Sequence, residues 1–373
     1  MRKGAGIDYY VRDLERIRRH YLRGMGFAEV ARSSPRRERE SGQRSLAFRA
    51  GEGIITCSSP LDEQGPAGRY LSRHPDGIGA VTFEVEDVAS AFTRLEHNGA
   101  TPAGEIEWTR DERGSYGEFV ITTPVGDTLF RFVERRGHAP ISPGMESYDI
   151  ARGAHEELGF TAIDHVTLNL RTMKPTLLWL EHVLELEPFW DVEFHTRRSG
   201  DGESGSGLRS QVMWDRASGI KLACNEPLRP GFEKSQIHLF CEDNRGEGVQ
   251  HVALGTRNIV DTVRALRARG VDLMPAPPGY YRGLSEHLQN LGVDRIAEDP
   301  AALEALGILV DGSANDSYLL QIFLREGAAA FGDPQAGCFF FEIIERKGDT
   351  GFGAGNFRAL FDSVEGQKLA RMA

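Results

Sequence analysis

The chain has 373 residues and a net charge of −11, from 44 Lys and Arg against 55 Asp and Glu. That length suits two domains with cores of their own, and the acidic balance argues against a nucleic-acid partner, because phosphate binding needs clustered cations. Cys57, Cys224, Cys241 and Cys338 form no CxxC pair, the opening residues lack a signal-peptide stretch, and no run of 18 apolar residues exists. Neither a disulfide framework nor a membrane span is therefore expected, and the expected compartment is cytoplasmic.

The elements repeat in chain order. A strand is predicted over 7–11, then a helix over 13–24 with Leu14, Ile17, Tyr21 and Leu22 at helical spacing, ended by Gly26. A hairpin over 45–49 and 53–57 turns at Gly51-Glu52-Gly53. The order restarts at Gly77: strand, a helix from Val88 to His97 stopped by Asn98-Gly99, then three strands, the last over 127–135. A Pro- and Gly-punctuated connection over 137–159 carries the expected boundary between domains 1–150 and 151–373. From Phe160 the order repeats again, with a helix over 175–184 and a Gly/Ser-rich hairpin tip over 199–207. From Gly248 it repeats a fourth time, with a helix over 259–269, a helical insertion over 275–311, and strands over 318–323 and 338–344. A last amphipathic helix spans 357–372.

Repetition at this scale points to an α+β fold of four βαβββ modules, paired into two open eight-stranded barrel-like domains, with a C-terminal helix over the second. Aligned on the leading aliphatic residue, the four first strands place Tyr9, Ala80, His165 and His251 at one position. The last strands of modules two and four place Glu342 opposite Arg131 in the alignment. A glutamate between Phe341 and Ile343 in a buried strand is costly unless its charge is paired. The second half thus offers His165, His251 and Glu342 as metal ligands, where the first half offers Tyr9, Ala80 and Arg131. Two neutral imidazoles and one carboxylate with open positions suit Fe(II) and O₂ chemistry; zinc accepts the same donors.

These residues stand in stretches that carry a family resemblance. They are Leu158-Gly159-Phe160-Thr161-Ala162-Ile163-Asp164-His165, Gly248-Val249-Gln250-His251, Leu319-Leu320-Gln321-Ile322-Phe323, Phe339-Phe340-Phe341-Glu342 and Gly351-Phe352-Gly353-Ala354-Gly355-Asn356-Phe357. In this order they resemble the 4-hydroxyphenylpyruvate dioxygenase family of the vicinal oxygen chelate superfamily, which includes 4-hydroxymandelate synthase. The resemblance implies one Fe(II) per chain, O₂ as co-substrate, and an aromatic 2-oxo acid as the small-molecule partner in a homo-oligomer. It implies decarboxylation and hydroxylation of 4-hydroxyphenylpyruvate to homogentisate and CO₂, in tyrosine catabolism. The alternatives are 4-hydroxymandelate formation in secondary metabolism and a metal-free binding protein of the superfamily.

The same resemblance assigns catalytic roles to Gln250, Gln321, Phe323 and Asn356. It assigns substrate contacts to Ser210, Asn225, Gln236, Gln250, Gln321, Phe323, Phe340, Phe352 and Phe357, and a gating role to the last helix. Asn356 also stands where a cap for that helix would. Ala223, Cys224, Trp214, His238 and the segment over 324–337 depart from the family pattern and bear on which product forms.

Overall fold

The structure is a computed structural model. It describes residues 1–373 except 2, 113, 138–140, 149–157, 198–203, 278, 314–315, 354, 357–358 and 360–373. The expected domain boundary, the hairpin tip before Ser204, and nearly all of the last helix, with Phe357, lie outside the described residues.

Module one comprises β1 (Lys3–Tyr10), a helix over Leu14–Arg19 that continues as a wider turn to Met25, β2 (Ala28–Ser33), β3 (Gln43–Ala50) and β4 (Gly53–Pro60). Module two comprises β5 (Gly77–Glu84), a helix over Val88–His97, β6 (Glu107–Asp111), β7 (Gly114–Ile121) and β8 (Leu129–Gly137). A short β9 (Met145–Ser147) follows. Module three comprises β10 (Phe160–Asn169), a helix over Lys174–His182, β11 (Glu187–Arg197), β12 (Ser204–Trp214) and β13 (Lys221–Leu228). Module four comprises β14 (Gly248–Thr256), a helix over Ile259–Ala268, β15 (Leu309–Ser313), β16 (Ser317–Phe323) and β17 (Phe340–Lys347).

Short polar side chains start three of the four module helices. Asp13 accepts from the Arg16 amide, Asp87 from Ser90 and Asn258 from Asp261, each satisfying a helix-terminal N–H that has no partner within the helix. A second device recurs between the halves. Buried Glu134 accepts from the Val88 amide at 2.9 Å, and buried Glu345 from the Ile259 amide at 2.8 Å. Each puts a negative charge at the positive end of a helix.

The strands form two curled open sheets, with orders β6-β7-β8-β5-β1-β4-β3-β2-β9 and β11-β12-β13-β10-β14-β17-β16-β15. Read in the opposite direction, and without β9, the first order matches the second strand for strand. The ninth strand is an addition to the eight expected: Met145–Ser147 folds back from the connection and pairs antiparallel with β2. Short helices over Pro35–Ser41 and Pro66–Leu71 were also not expected; each has Pro in its first turn, where the missing N–H is harmless. The insertion in module four is helical over Leu284–Asn290 and Pro300–Leu306. Among the described residues no helix is long and apolar enough to cross a membrane.

One continuous apolar core joins the two halves. Its centre is aromatic: Tyr9 packs on Phe339 at 5.2 Å between ring centres, Phe27 on Phe160 at 5.5 Å, and Phe130 on Trp179 at 5.9 Å. The core therefore takes the outward side chains of both central strand pairs and leaves the inward ones to line each sheet's interior.

Candidate metal centre

The site of the second half is built on β10, β14 and β17. β10 pairs antiparallel with β14, setting His165 opposite Ala253 and Thr167 opposite His251; β14 pairs parallel with β17, setting Ala253 beside Glu342. His165, His251 and Glu342 are all buried, and their ligand atoms lie within 4.8 Å of one another. Glu342 Oε2 is 3.4 Å from His165 Nε2 and 3.3 Å from His251 Nε2.

Two β-bulges make this convergence possible. The β10–β14 register slips between Ile163 and His165 and again between Thr167 and Leu168, so Asp164 and Gln250 are the unpaired residues. A bulge lets neighbours in sequence face one way, which a regular strand forbids. Asp164 therefore lies beside His165, with Nδ1 donating to Oδ1 at 2.9 Å. Gln250 lies beside His251, with Nδ1 donating to Oε1 at 3.1 Å. With Nδ1 held by these partners on both rings, Nε2 is the atom each ring turns toward Glu342, and its lone pair is free for a metal ion once any proton there is lost.

The two imidazoles differ electrostatically. Burial disfavours charge on His165, yet Glu342 and Asp164 outweigh it and raise its pKa. For His251 burial prevails and lowers the pKa. Glu342 is itself pulled down to about 2: burial works against its charge, but the two facing imidazoles overcome that. Asp164 is held ionised below the usual carboxylate range, against the effect of burial, by Arg346, which grips both its oxygens at 2.7 Å. The second ring's partner, Gln250, is neutral and is bonded onward to Gln236 Oε1 at 3.0 Å.

Glu342 Oε1 is fixed from the other side. Gln321 Nε2 donates to it at 2.8 Å, Asn356 Nδ2 donates to Gln321 Oε1 at 2.9 Å, and the Tyr280 hydroxyl lies 2.7 Å from Asn356 Oδ1. An ionised carboxylate can only accept, so it sets the orientation of both amides. Asp311 accepts from the Gly355 and Asn356 amides at 2.6 and 3.0 Å, and the helix that Asn356 was expected to cap lies almost wholly outside the described residues. Phenylalanines cover the rings. Phe340 stacks on His251 at 5.1 Å, Phe323 lies edge-on to it at 6.1 Å, and Phe352 lies edge-on to His165 at 4.6 Å.

Next to the ligands four buried polar atoms have no hydrogen-bond partner among the described residues: Thr167 Oγ1, Asn169 Nδ2, Ser210 Oγ and Asn225 Oδ1. The strand register gathers them, with Asn169 beside Asn225 and Ser210 opposite Asn225. Ser210 and Asn225 were expected from the sequence; Thr167 and Asn169 were not, although their offsets of two and four from His165 share its face. Arg346 and Tyr280 were also missed, since nothing local marks either as a partner of the site. Of the departures from the family pattern, Ala223 reaches the interior, against Phe352 and Val212. Cys224 faces the shared core, Trp214 stacks on Phe189 at 4.3 Å, and His238 packs on Phe232 at 5.0 Å.

The first half corrects one alignment. β1 pairs with β5 with Gly6 opposite Thr82 and Asp8 opposite Ala80, and Thr82 lies beside Arg131. Matched to the second sheet, Ala80 stands at His251 and Arg131 at Glu342, as expected, but Gly6 stands at His165, not Tyr9. Tyr9 falls on the opposite face, in the shared core. A Cβ on Gly6 would lie 2.2 Å from Ile54 O, so no ligand side chain fits there without a shift of backbone. Arg131 is held instead by Asp8 at 2.6 Å and Glu118 at 3.3 Å.

Asp164→Asn is expected to weaken metal binding by about 10- to 100-fold, the usual cost of losing an outer partner of a ligand histidine. An amide can turn N–H toward Nδ1, force the proton onto Nε2, and leave Arg346 without its carboxylate. Competition with a chelator measures the affinity, and an unchanged value would show that Asp164 does not set the tautomer.

Comparison with known proteins adds the following. The Glyoxalase/Bleomycin resistance protein/Dioxygenase superfamily matches residues 5–128. The chain is 34% identical over 376 residues to 4-hydroxyphenylpyruvate dioxygenase of Dictyostelium discoideum, with 98% of each chain covered. It is 32% identical over 387 residues to the enzyme of the same name from Coccidioides posadasii, covering 98% of this chain and 92% of that one. A solved structure of a mutant 4-hydroxymandelate synthase from Streptomyces coelicolor superposes with a TM-score of 0.80 at 26% identity, covering 98% of this chain and 99% of that one.

Proposed function

We propose a function from one premise: the chain belongs to the 4-hydroxyphenylpyruvate dioxygenase family. It is an Fe(II)-dependent enzyme that converts 4-hydroxyphenylpyruvate and O₂ to homogentisate and CO₂. The observation that carries this reading is the buried convergence of two Nε2 atoms and the Glu342 carboxylate. Neutral imidazoles and a carboxylate, each fixed by a hydrogen bond, fit a divalent ion and leave positions for a substrate. In this reading residues 1–150 form the metal-free half and 151–373 the catalytic half.

Fe(II), when bound by His165, His251 and Glu342, supplies the oxidation chemistry with O₂. The protein's own residues bind, orient and enclose the substrate. The 2-oxo acid end lies toward the ligands, near Gln250 and Gln236. The phenol end lies toward Ser210, Asn225 and Asn169, whose unpaired atoms can take its hydroxyl. Phe323, Phe340 and Phe352 form apolar walls that hold the ring and exclude water. Gln321 and Asn356 act on the reaction by holding Glu342. The gating role expected of Phe357 and the last helix falls outside the described residues. The four free cysteines are all buried, in keeping with a cytoplasmic enzyme.

A second reading, 4-hydroxymandelate formation from the same substrate, draws on Ala223, a small residue against the Phe352 wall. Incubation with Fe(II), ascorbate, O₂ and 4-hydroxyphenylpyruvate, with product identification by mass spectrometry and NMR, separates the two. Homogentisate is expected, 4-hydroxymandelate would reverse the order, and iron binding without either product would end both readings.

A further inference from the structure

The interior of the first sheet is not filled. A cavity of about 100 Å³ lies there, lined by Asp8, Arg37, Arg131 and Arg135 among other residues. It occupies the place in the first half that the metal centre has in the second, because Gly6, Ala80 and Arg131 stand at the ligand positions. Where the second half gathers donors for a cation, the first half presents cations of its own. Arg131 and Arg135 lie on one face of β8, four residues and two strand periods apart. Arg131 is matched by Asp8 and Glu118. Among the described residues Arg135 has no carboxylate partner; its guanidinium sits 5.9 Å from the centre of the Tyr116 ring, and its buried Nε has no hydrogen-bond partner there. Arg37, from the short helix over Pro35–Ser41, reaches the same cavity and is likewise without an ion pair among the described residues.

Three guanidinium groups against two carboxylates leave one positive charge around the cavity. We propose that this cavity binds a small monocarboxylate, held by Arg135 and Arg37, with Ser45 and Ser58 as polar lining and Ile54 and Met145 as apolar lining. Arginine's planar fork matches a carboxylate in two parallel hydrogen bonds, and partial burial strengthens them. About 100 Å³ is open to the centre of a water-sized sphere, well above the roughly 10–15 Å³ that a single water needs, so a small carboxylate has room. The site would be separate from the metal centre and independent of its chemistry.

The test uses the full metal-loaded chain. Crystals soaked in 3-bromopropionate are expected to show anomalous bromine density inside the first sheet, and propionate titrated calorimetrically should bind there. Arg135→Gln and Arg37→Gln should each weaken that binding at least tenfold, with turnover of 4-hydroxyphenylpyruvate unchanged and the melting temperature near that of the wild type. Bromine density absent from the first sheet, or found only at the metal centre, would overturn the proposal without touching the proposed function. So would propionate binding that neither variant weakens.

Discussion

Replacing Glu342 with alanine is expected to strip the chain of its metal ion and to lower turnover by more than about 100-fold. That bound follows from the 10- to 100-fold cost of losing a partner one bond further out. Glu342 is the only carboxylate among the three ligands and supplies the site's single negative charge toward the ion. Its removal leaves two neutral imidazoles and an unpaired Gln321 amide. The fold should survive, because the β16–β17 and β14–β17 pairings run through the backbone on both sides of the position. Glu342→Gln is the sharper companion: it keeps the shape but not the charge. In the metal-free wild type the carboxylate is held at a pKa of about 2, below its ordinary value near 4.5. A depressed acid contributes stability that is present above the ordinary pKa and lost as pH falls through the depressed one. At pH 7 the wild type keeps that contribution, and both variants lack it. Metal analysis after dialysis, circular dichroism and turnover give the three readouts. A variant that keeps one ion per chain and full activity would remove Glu342 from the site.

Much of this centre was legible in the sequence, for a definite reason. A buried glutamate and two histidines at matching repeat positions make no sense as core residues, so the repeat alignment singles out His165, His251 and Glu342. The repeat also fixed the register of β5 against β14 and of β8 against β17. What it missed lies where strands stop being regular. The bulges at Asp164 and Gln250 bring adjacent side chains to one face, and no alternation pattern announces that. The alignment of β1 went astray for a different reason: it matched Ile7 to Ile163, whereas in space Ile7 matches Val166 and Tyr9 matches Leu168. Contacts made across the fold were also out of reach. Arg346 meets Asp164 across 182 residues, and Tyr280 meets Asn356 across 76. Likewise the ninth strand is set by its pairing partner β2, since three residues carry too little pattern to declare themselves.

Phe323→Ile is expected to raise the share of 4-hydroxymandelate about tenfold relative to homogentisate. Hydroxylation at the ring carbon that bears the side chain and at the benzylic carbon are competing outcomes at neighbouring atoms. A rotation of the ring decides between them, and about 1.4 kcal/mol between the two barriers gives a tenfold preference. Phe323 is placed to supply it. Its ring is buried, lies 6.1 Å from His251 and 6.3 Å from Phe340, and sits on β16 directly opposite Glu342. Together Phe323 and Phe340 make two nearly perpendicular walls, with ring planes at 87°. Isoleucine keeps the strand, since β-branched residues suit it, but it is smaller and loses the flat wall. The neighbouring Met274, Leu309 and Ala359 line the same cluster and cannot replace a ring in that place. Product ratios by mass spectrometry, at matched oxygen uptake, measure the effect. If the ratio stays that of the wild type, the ring is oriented from the opposite side, by Phe352 and Ala223.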